Sequence, residues 1–207
     1  MADDDFKYTG VHAFVFMNEV HPAMDVALGS LKVPGSEITT IRDVIDVLRA
    51  YGPPPEGPVM FAAELLGSSK GFAHVRGESL AEVQDFVGGS LSRRGVASNY
   101  STEKGWATIG PRKAGAKRDT PEVIALIRLC VRKGEVPSVL RALADQDGPL
   151  RDTFKGASSV FGDFDILLQL GADTFDEVAA AAYGPLQEIA GIASTDTAFT
   201  DARRYED

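Results

Sequence analysis

Two stretches of this chain, Gly67–Ser98 and Gly162–Ser194, follow one pattern. Each opens on a short Gly-led loop, runs into an apolar strand and continues through an amphipathic helix led by Ser or Thr. Each then closes on Gly95-Val96-Ala97-Ser98 or Gly191-Ile192-Ala193-Ser194. The offset is 95 residues at Gly67/Gly162, Ser79/Thr174, Glu82/Glu177, Val83/Val178 and Leu91/Leu186. It becomes 96 at Gly95/Gly191, so one residue enters between helix and closing strand. Solenoid units are shorter, about 20–50 residues, so this period describes two copies of a small domain. A chain of 207 residues has room for two cores of about 100 residues each.

The periodicities complete each copy. In the first, Val11–Met17 reads as a buried strand from its β-branched and aromatic content. Thr39 or Thr40 caps a helix whose apolar positions Ile41, Val44, Ile45, Leu48 and Tyr51 recur at helical spacing, and Gly52 before Pro53-Pro54-Pro55 ends it. Strands follow at 58–66 and 70–76. A second helix runs from Ser79 to about Arg93, with Leu80, Val83, Phe86, Val87 and Leu91 facing inward, and a last strand starts near Val96. In the second copy the strands are 122–132, 154–161, 163–171 and 192–199. Its helices are 137–145, with Pro137 in the first turn, and Thr174 through Ile189.

The order βαββαβ predicts an α+β chain of tandem ferredoxin-like domains. Such a unit covers one sheet face with helices and leaves the other bare. The bare faces predict pairing of the copies as a pseudo-dimer of the dimeric α/β-barrel type, and the open edges predict a homo-oligomer. The expected division is a disordered 1–9, a first domain at 10–103 with an insertion at 18–37, a basic linker at 104–119, a second domain at 120–201 and a tail at 202–207. The insertion, with a short strand at 26–33, is a candidate lid or oligomer contact.

The net charge of −9 speaks against nucleic acid as a partner, because phosphates would be repelled. Lys104, Arg112, Lys113, Lys117 and Arg118 form a local exception that reads as a solvated linker. No apolar run approaches the about 20 residues of a membrane helix, so no membrane partner is expected. The acidic start Met1-Ala2-Asp3-Asp4-Asp5 lacks a signal pattern, and the single Cys130, a small core side chain, suits a reducing cytoplasm.

Gly162-Asp163-Phe164-Asp165-Ile166-Leu167-Leu168 resembles the Gly-Asp-Tyr-Asp-Leu-Leu signature of the ligand-binding (RAM) domain of Lrp/AsnC-type regulators. Val131-Arg132-Lys133-Gly134-Glu135-Val136 resembles that family's strand-to-helix turn. Gly191-Ile192-Ala193-Ser194-Thr195-Asp196-Thr197 resembles its closing strand. The resemblance covers residues 120–201 and implies a domain that dimerises and binds small effectors, often amino acids, between protomers. No helix-turn-helix precedes either copy, and the first copy is degenerate, reading Gly67-Ser68-Ser69-Lys70 where the acids would stand.

Two sets of candidate residues follow. Gly162, Asp163, Asp165, Thr195 and Thr197 form a ligand-binding set in which an Asp would take an ammonium and the threonines would add hydroxyls. Alternatively, Asp163 only stabilises the turn after Gly162. Alternation places Phe164, Ile166, Leu168 and Leu170 on one face and Asp165, Leu167 and Gln169 on the other. The second set is His12 and His74. His74 matches Gln169 in register, shares the helix-free face with Phe72, and lies on a strand that neighbours His12's strand. Both imidazoles would reach the cleft between the sheets, where an acid–base histidine could act.

A metal or haem needs further ligands. His21 is the one other histidine, and no HxxxH, HxE or CxxC spacing occurs, so neither metal nor cofactor is expected. P-loop, dinucleotide, nucleophile-elbow and zinc motifs are likewise lacking. The leading expectation is a non-catalytic small-molecule binding or regulatory protein acting through oligomerisation. The alternatives are a small dimeric α/β-barrel-type enzyme using His74 and His12, and a purely structural assembly module.

Overall fold

A computed structural model of the protein describes residues 10–20, 40–52, 57–91, 96–104, 121–145 and 147–201. The readings for 1–9, for 26–33 and most of the 18–37 insertion, for the linker beyond Lys104 and for the tail at 202–207 lie outside these residues. Two compact units emerge. One holds Thr9–Leu65 and Ser69–Lys104; the other holds Leu66–Ser68 and Gly105–Asp207.

The first unit runs β1 (Val11–Val20), α1 (Ile41–Tyr51), β2 (Val59–Glu64), β3 (Gly71–Gly77), α2 (Leu80–Gln84) and β4 (Val96–Lys104). Its strands form an antiparallel sheet in the order β2-β3-β1-β4. Thr40 caps α1 in a reciprocal box: its hydroxyl accepts from the Asp43 N–H, and the Asp43 carboxylate accepts from the Thr40 N–H. Gly52 closes the helix at a φ of 68°, a left-handed value that glycine adopts without a Cβ penalty. Val44, Ile45 and Leu48 of α1 and Val83 and Val87 pack on Ala13, Val15, Met17, Ala73 and Val75 of the sheet. One face of the sheet is thereby committed to the helices, and His12, Phe14, Phe16, Phe72 and His74 point the other way.

The second unit repeats this with β5 (Val123–Val131), α3 (Val136–Leu143), β6 (Phe154–Ser159), β7 (Ile166–Ala172), α4 (Phe175–Tyr183) and β8 (Ile192–Asp201), in sheet order β6-β7-β5-β8. Its core joins Ala125, Ile127 and Leu129 of β5 with Ile166, Leu168 and Leu170 of β7 beneath Val139, Leu143 and Val178. The expected α+β class and duplicated ferredoxin-like topology are therefore observed. Leu66 accompanies this unit by exchanging both main-chain bonds with Phe199 of β8, at 2.8 and 2.9 Å. The Arg128 guanidinium secures the thread, donating to the Asp196 carboxylate and, at 2.9 Å, to the Ser68 hydroxyl. Ser68 in turn donates to Asp196 at 2.7 Å.

Three local expectations are corrected. The second helix of the first unit is not α-helical to Arg93: after Gln84 it widens into π-helical turns over Asp85–Leu91, a stretch that contains Gly88-Gly89. Two residues without side chains leave little to hold the tighter winding. Leu80 does not face inward but is 47% exposed, because it occupies the first helical position outside the packed stripe. The last helix of the second unit stops at Tyr183, where Gly184 and Pro185 break it into a 3₁₀ turn over Pro185–Glu188. In addition, β1 continues to Val20, into the stretch read as insertion.

Candidate functional site

The two strand histidines meet. On β1 and β3 the register pairs Phe14 with His74 and His12 with Arg76, so the imidazoles are diagonal neighbours on the helix-free face. His12 Nδ1 and His74 Nε2 lie 2.8 Å apart, with ring centroids at 5.1 Å. One nitrogen carries the shared hydrogen and the other offers the lone pair, so the two rings cannot both be imidazolium in this geometry. Burial, the neighbouring His12 charge and the Arg76 guanidinium together lower the His74 pKa from 6.5 to about 3. At neutral pH His74 is accordingly a neutral imidazole. It is suited to donating or accepting a hydrogen bond and too acidic in its protonated form to serve alone as a base poised near pH 7.

Aromatic side chains surround the pair. The Phe14 ring lies 4.7 Å from His74, and Phe72 contacts Phe14, Phe16 and Phe61 at 6.3, 5.1 and 6.1 Å. His12, Phe14, Phe16 and Phe72 are buried, whereas His74 and Phe61 retain partial exposure. Phe14, Phe16, Phe61 and Arg76 were not singled out from the sequence. The alternation His12-Ala13-Phe14-Val15-Phe16 carried the signal, since residues two apart on a strand share a face.

The other predicted set is placed differently. Gly162 and Asp163 form the exposed turn before β7, and the Asp163 carbonyl lies 3.9 Å from the Cys130 sulfur. The Asp165 carboxylate accepts from the Val131 N–H at 2.7 Å. Its own N–H donates to the Leu129 carbonyl, and its carbonyl accepts from Val160. Thr195 and Thr197 pair with Leu129 and Ile127 and so point to the helix side of the sheet, where Gln187 donates to the Thr195 hydroxyl at 3.1 Å. Asp165 thus fastens the end of β5 to the start of β7. Asp165→Ala is expected to cost about 1.5–3 kcal/mol by removing a charge-assisted bond to the main chain. Asp165→Asn, which keeps an acceptor oxygen, should cost less; urea midpoints of the two variants check this.

Among the described residues no group of three or more His, Cys, Asp or Glu side chains is placed to hold a metal ion. No described helix is long and apolar enough to cross a membrane.

The class defined by this fold is a duplicated ferredoxin-like α+β chain. No family model matches the sequence, and no curated protein matches it. Among solved structures, chlorite dismutase from Candidatus Nitrospira defluvii in complex with imidazole is similar at a TM-score of 0.57 and 12% identity, covering 94% of this chain and 92% of that one. A mutant of that enzyme is similar at 0.55, again at 12% identity, covering 93% and 92%. An anthrone oxidase-like protein is similar at 0.52 and 12% identity, covering 92% and 90%. At this identity the likeness is one of fold.

These neighbours correct the family reading. The similar solved structures are a chlorite dismutase and an anthrone oxidase-like protein rather than Lrp/AsnC ligand-binding domains, so that resemblance and the regulatory, effector-binding function it implied are not borne out. The Gly-Asp-Phe-Asp pattern suggested it because a tight turn followed by a strand-locking carboxylate favours those residues in any such sheet.

Proposed function

We propose that this chain is a small enzyme of the dimeric α/β-barrel type, its two copies forming an internal pseudo-dimer, with the His12–His74 pair as its reactive centre. The observation that carries the reading is the 2.8 Å imidazole contact on an aromatic, helix-free sheet face. Support also comes from the solved neighbours, two of which bear enzyme names and span nearly the whole chain. A buried polar pair in apolar surroundings is costly to maintain, and perturbed histidines of this kind concentrate at functional sites.

In this reading His74 meets an oxygen of the small-molecule substrate as a neutral imidazole. His12 fixes its tautomer and passes a proton across the Nδ1–Nε2 contact. Association of copies through open strand edges, and residence in the cytoplasm, belong to the same proposal. Sedimentation above that of a single chain is the expected sign of the former.

The test is a screen of oxygen-bearing small molecules, reading turnover and the imidazole resonances of the intact chain. Turnover found in the parent protein is expected to fall about 100-fold or more in His74→Gln. Turnover indifferent to both His74→Gln and His12→Gln would overturn the reading, as would imidazoles that respond to no compound.

A further inference from the structure

Among the described residues six large apolar side chains are exposed, and three of them, Leu66, Phe175 and Tyr183, gather around Phe199 in the second unit. Phe175 and Tyr183 open and close α4, and their rings lie 4.6 and 6.5 Å from that of Phe199 on β8. Residues eight apart return to one face of a helix after two turns, about 12 Å further along its axis. Leu66 exchanges both main-chain bonds with Phe199, so their side chains stand on the same side of the sheet. Phe199 is 7% exposed, whereas Leu66, Phe175 and Tyr183 are 74, 50 and 63% exposed. Together they make an apolar surface patch floored by one buried ring. Gathered apolar side chains of this kind mark an interaction surface, where scattered ones do not.

The border of the patch is acidic. Asp173 and Asp176 flank Phe175 and are exposed, and neither α4 nor β8 carries a Lys, Arg or His.

We infer that this patch docks a basic amphipathic helix of another protein. The apolar side chains of that helix lie on Phe175, Phe199 and Tyr183, and its Lys or Arg residues reach toward Asp173 and Asp176. His12 and His74 take no part in the contact. The spacing of the two exposed rings suits the i and i+7 anchors of one helix lying along another. Aromatic anchors supply the binding energy of such contacts, and complementary charge selects the partner.

Charge decides against the other occupants. A second copy docking by the same patch would set Asp173 and Asp176 against their like, in a chain whose net charge is −9. Nucleic acid and an anionic lipid surface are repelled for the same reason.

The probe is a dye-labelled peptide of about 14 residues, with leucines on one helical face and lysines on the other. One comparator has the same composition with the leucines dispersed, and another has glutamates in place of the lysines. Anisotropy titrations against the full chain are expected to saturate with the first peptide and to weaken as salt is raised. Tyr183→Ala and Phe175→Ala should each bind it about tenfold more weakly. Asp176→Lys should also weaken it while strengthening the glutamate peptide, a reversal that loss of folding does not produce. Melting midpoints equal to the parent's establish that the variants are folded.

Equal binding of the dispersed peptide overturns the helix, and equal binding of the glutamate peptide overturns the charge. Unchanged affinity in folded Tyr183→Ala and Phe175→Ala overturns the patch. A multimer that Tyr183→Ala returns to single chains in sedimentation assigns the patch to a second copy and overturns the basic partner.

Discussion

Lowering the pH from 6.5 to 5 is expected to cost the protein roughly 2 kcal/mol of stability through His74 alone, and His74→Phe should remove that loss. The His74 pKa falls from 6.5 to about 3 on folding, through burial first and then through the His12 and Arg76 charges. Between these values the unfolded chain binds more protons than the folded one, so stability rises with pH across the window. The contribution is complete above about 6.5 and lost progressively as pH falls toward 3, at up to about 1.4 kcal/mol per pH unit. Urea unfolding of parent and variant at pH 7 and 5 reads the difference. A parallel pH dependence in the two proteins would show that His74 stays ionisable in the folded state.

Phe72→Ala carries the other large expectation. Phe72 is fully buried and contacts three further phenylalanine rings, so its removal should cost about 3–5 kcal/mol. A second readout separates the site from simple loss of packing. Burial is the largest cause of the depressed His74 pKa, so a cavity that admits water beside the pair should move that pKa back toward 6.5. Imidazole resonances followed against pH in the folded variant check this. Leu48→Ala, which truncates a core side chain on the helix side of the same unit, should destabilise without moving the pKa.

Much of the fold could be read where local chemistry and the global pattern agree. Thr40 and Gly52 bound α1 because a capping oxygen and a residue tolerant of positive φ are needed there whatever the surroundings. The shared face of His12, Phe72 and His74 followed from strand alternation, and their adjacency from the order of a ferredoxin-like sheet. The widening of the helix after Gln84 was not legible, since Gly88-Gly89 signals a weak point without saying which winding replaces it.

The family resemblance misled for a physical reason. Asp163 and Asp165 have the spacing of a ligand-binding signature, but a carboxylate that accepts a main-chain N–H at a strand end requires the same residue in the same place. Pairing between Leu66 and Phe199 joins residues more than a hundred positions apart, and nothing in either local sequence announces it.

That last contact makes the second unit discontinuous along the chain. A polypeptide starting at Gly105 carries every strand of its sheet yet lacks the thread Leu66–Ser68, which pairs with β8 at Phe199 and whose Ser68 hydroxyl bonds both Arg128 and Asp196. Duplication in sequence is therefore not modularity: cutting at the apparent boundary would leave the later copy with an open strand edge and part of its polar tether missing.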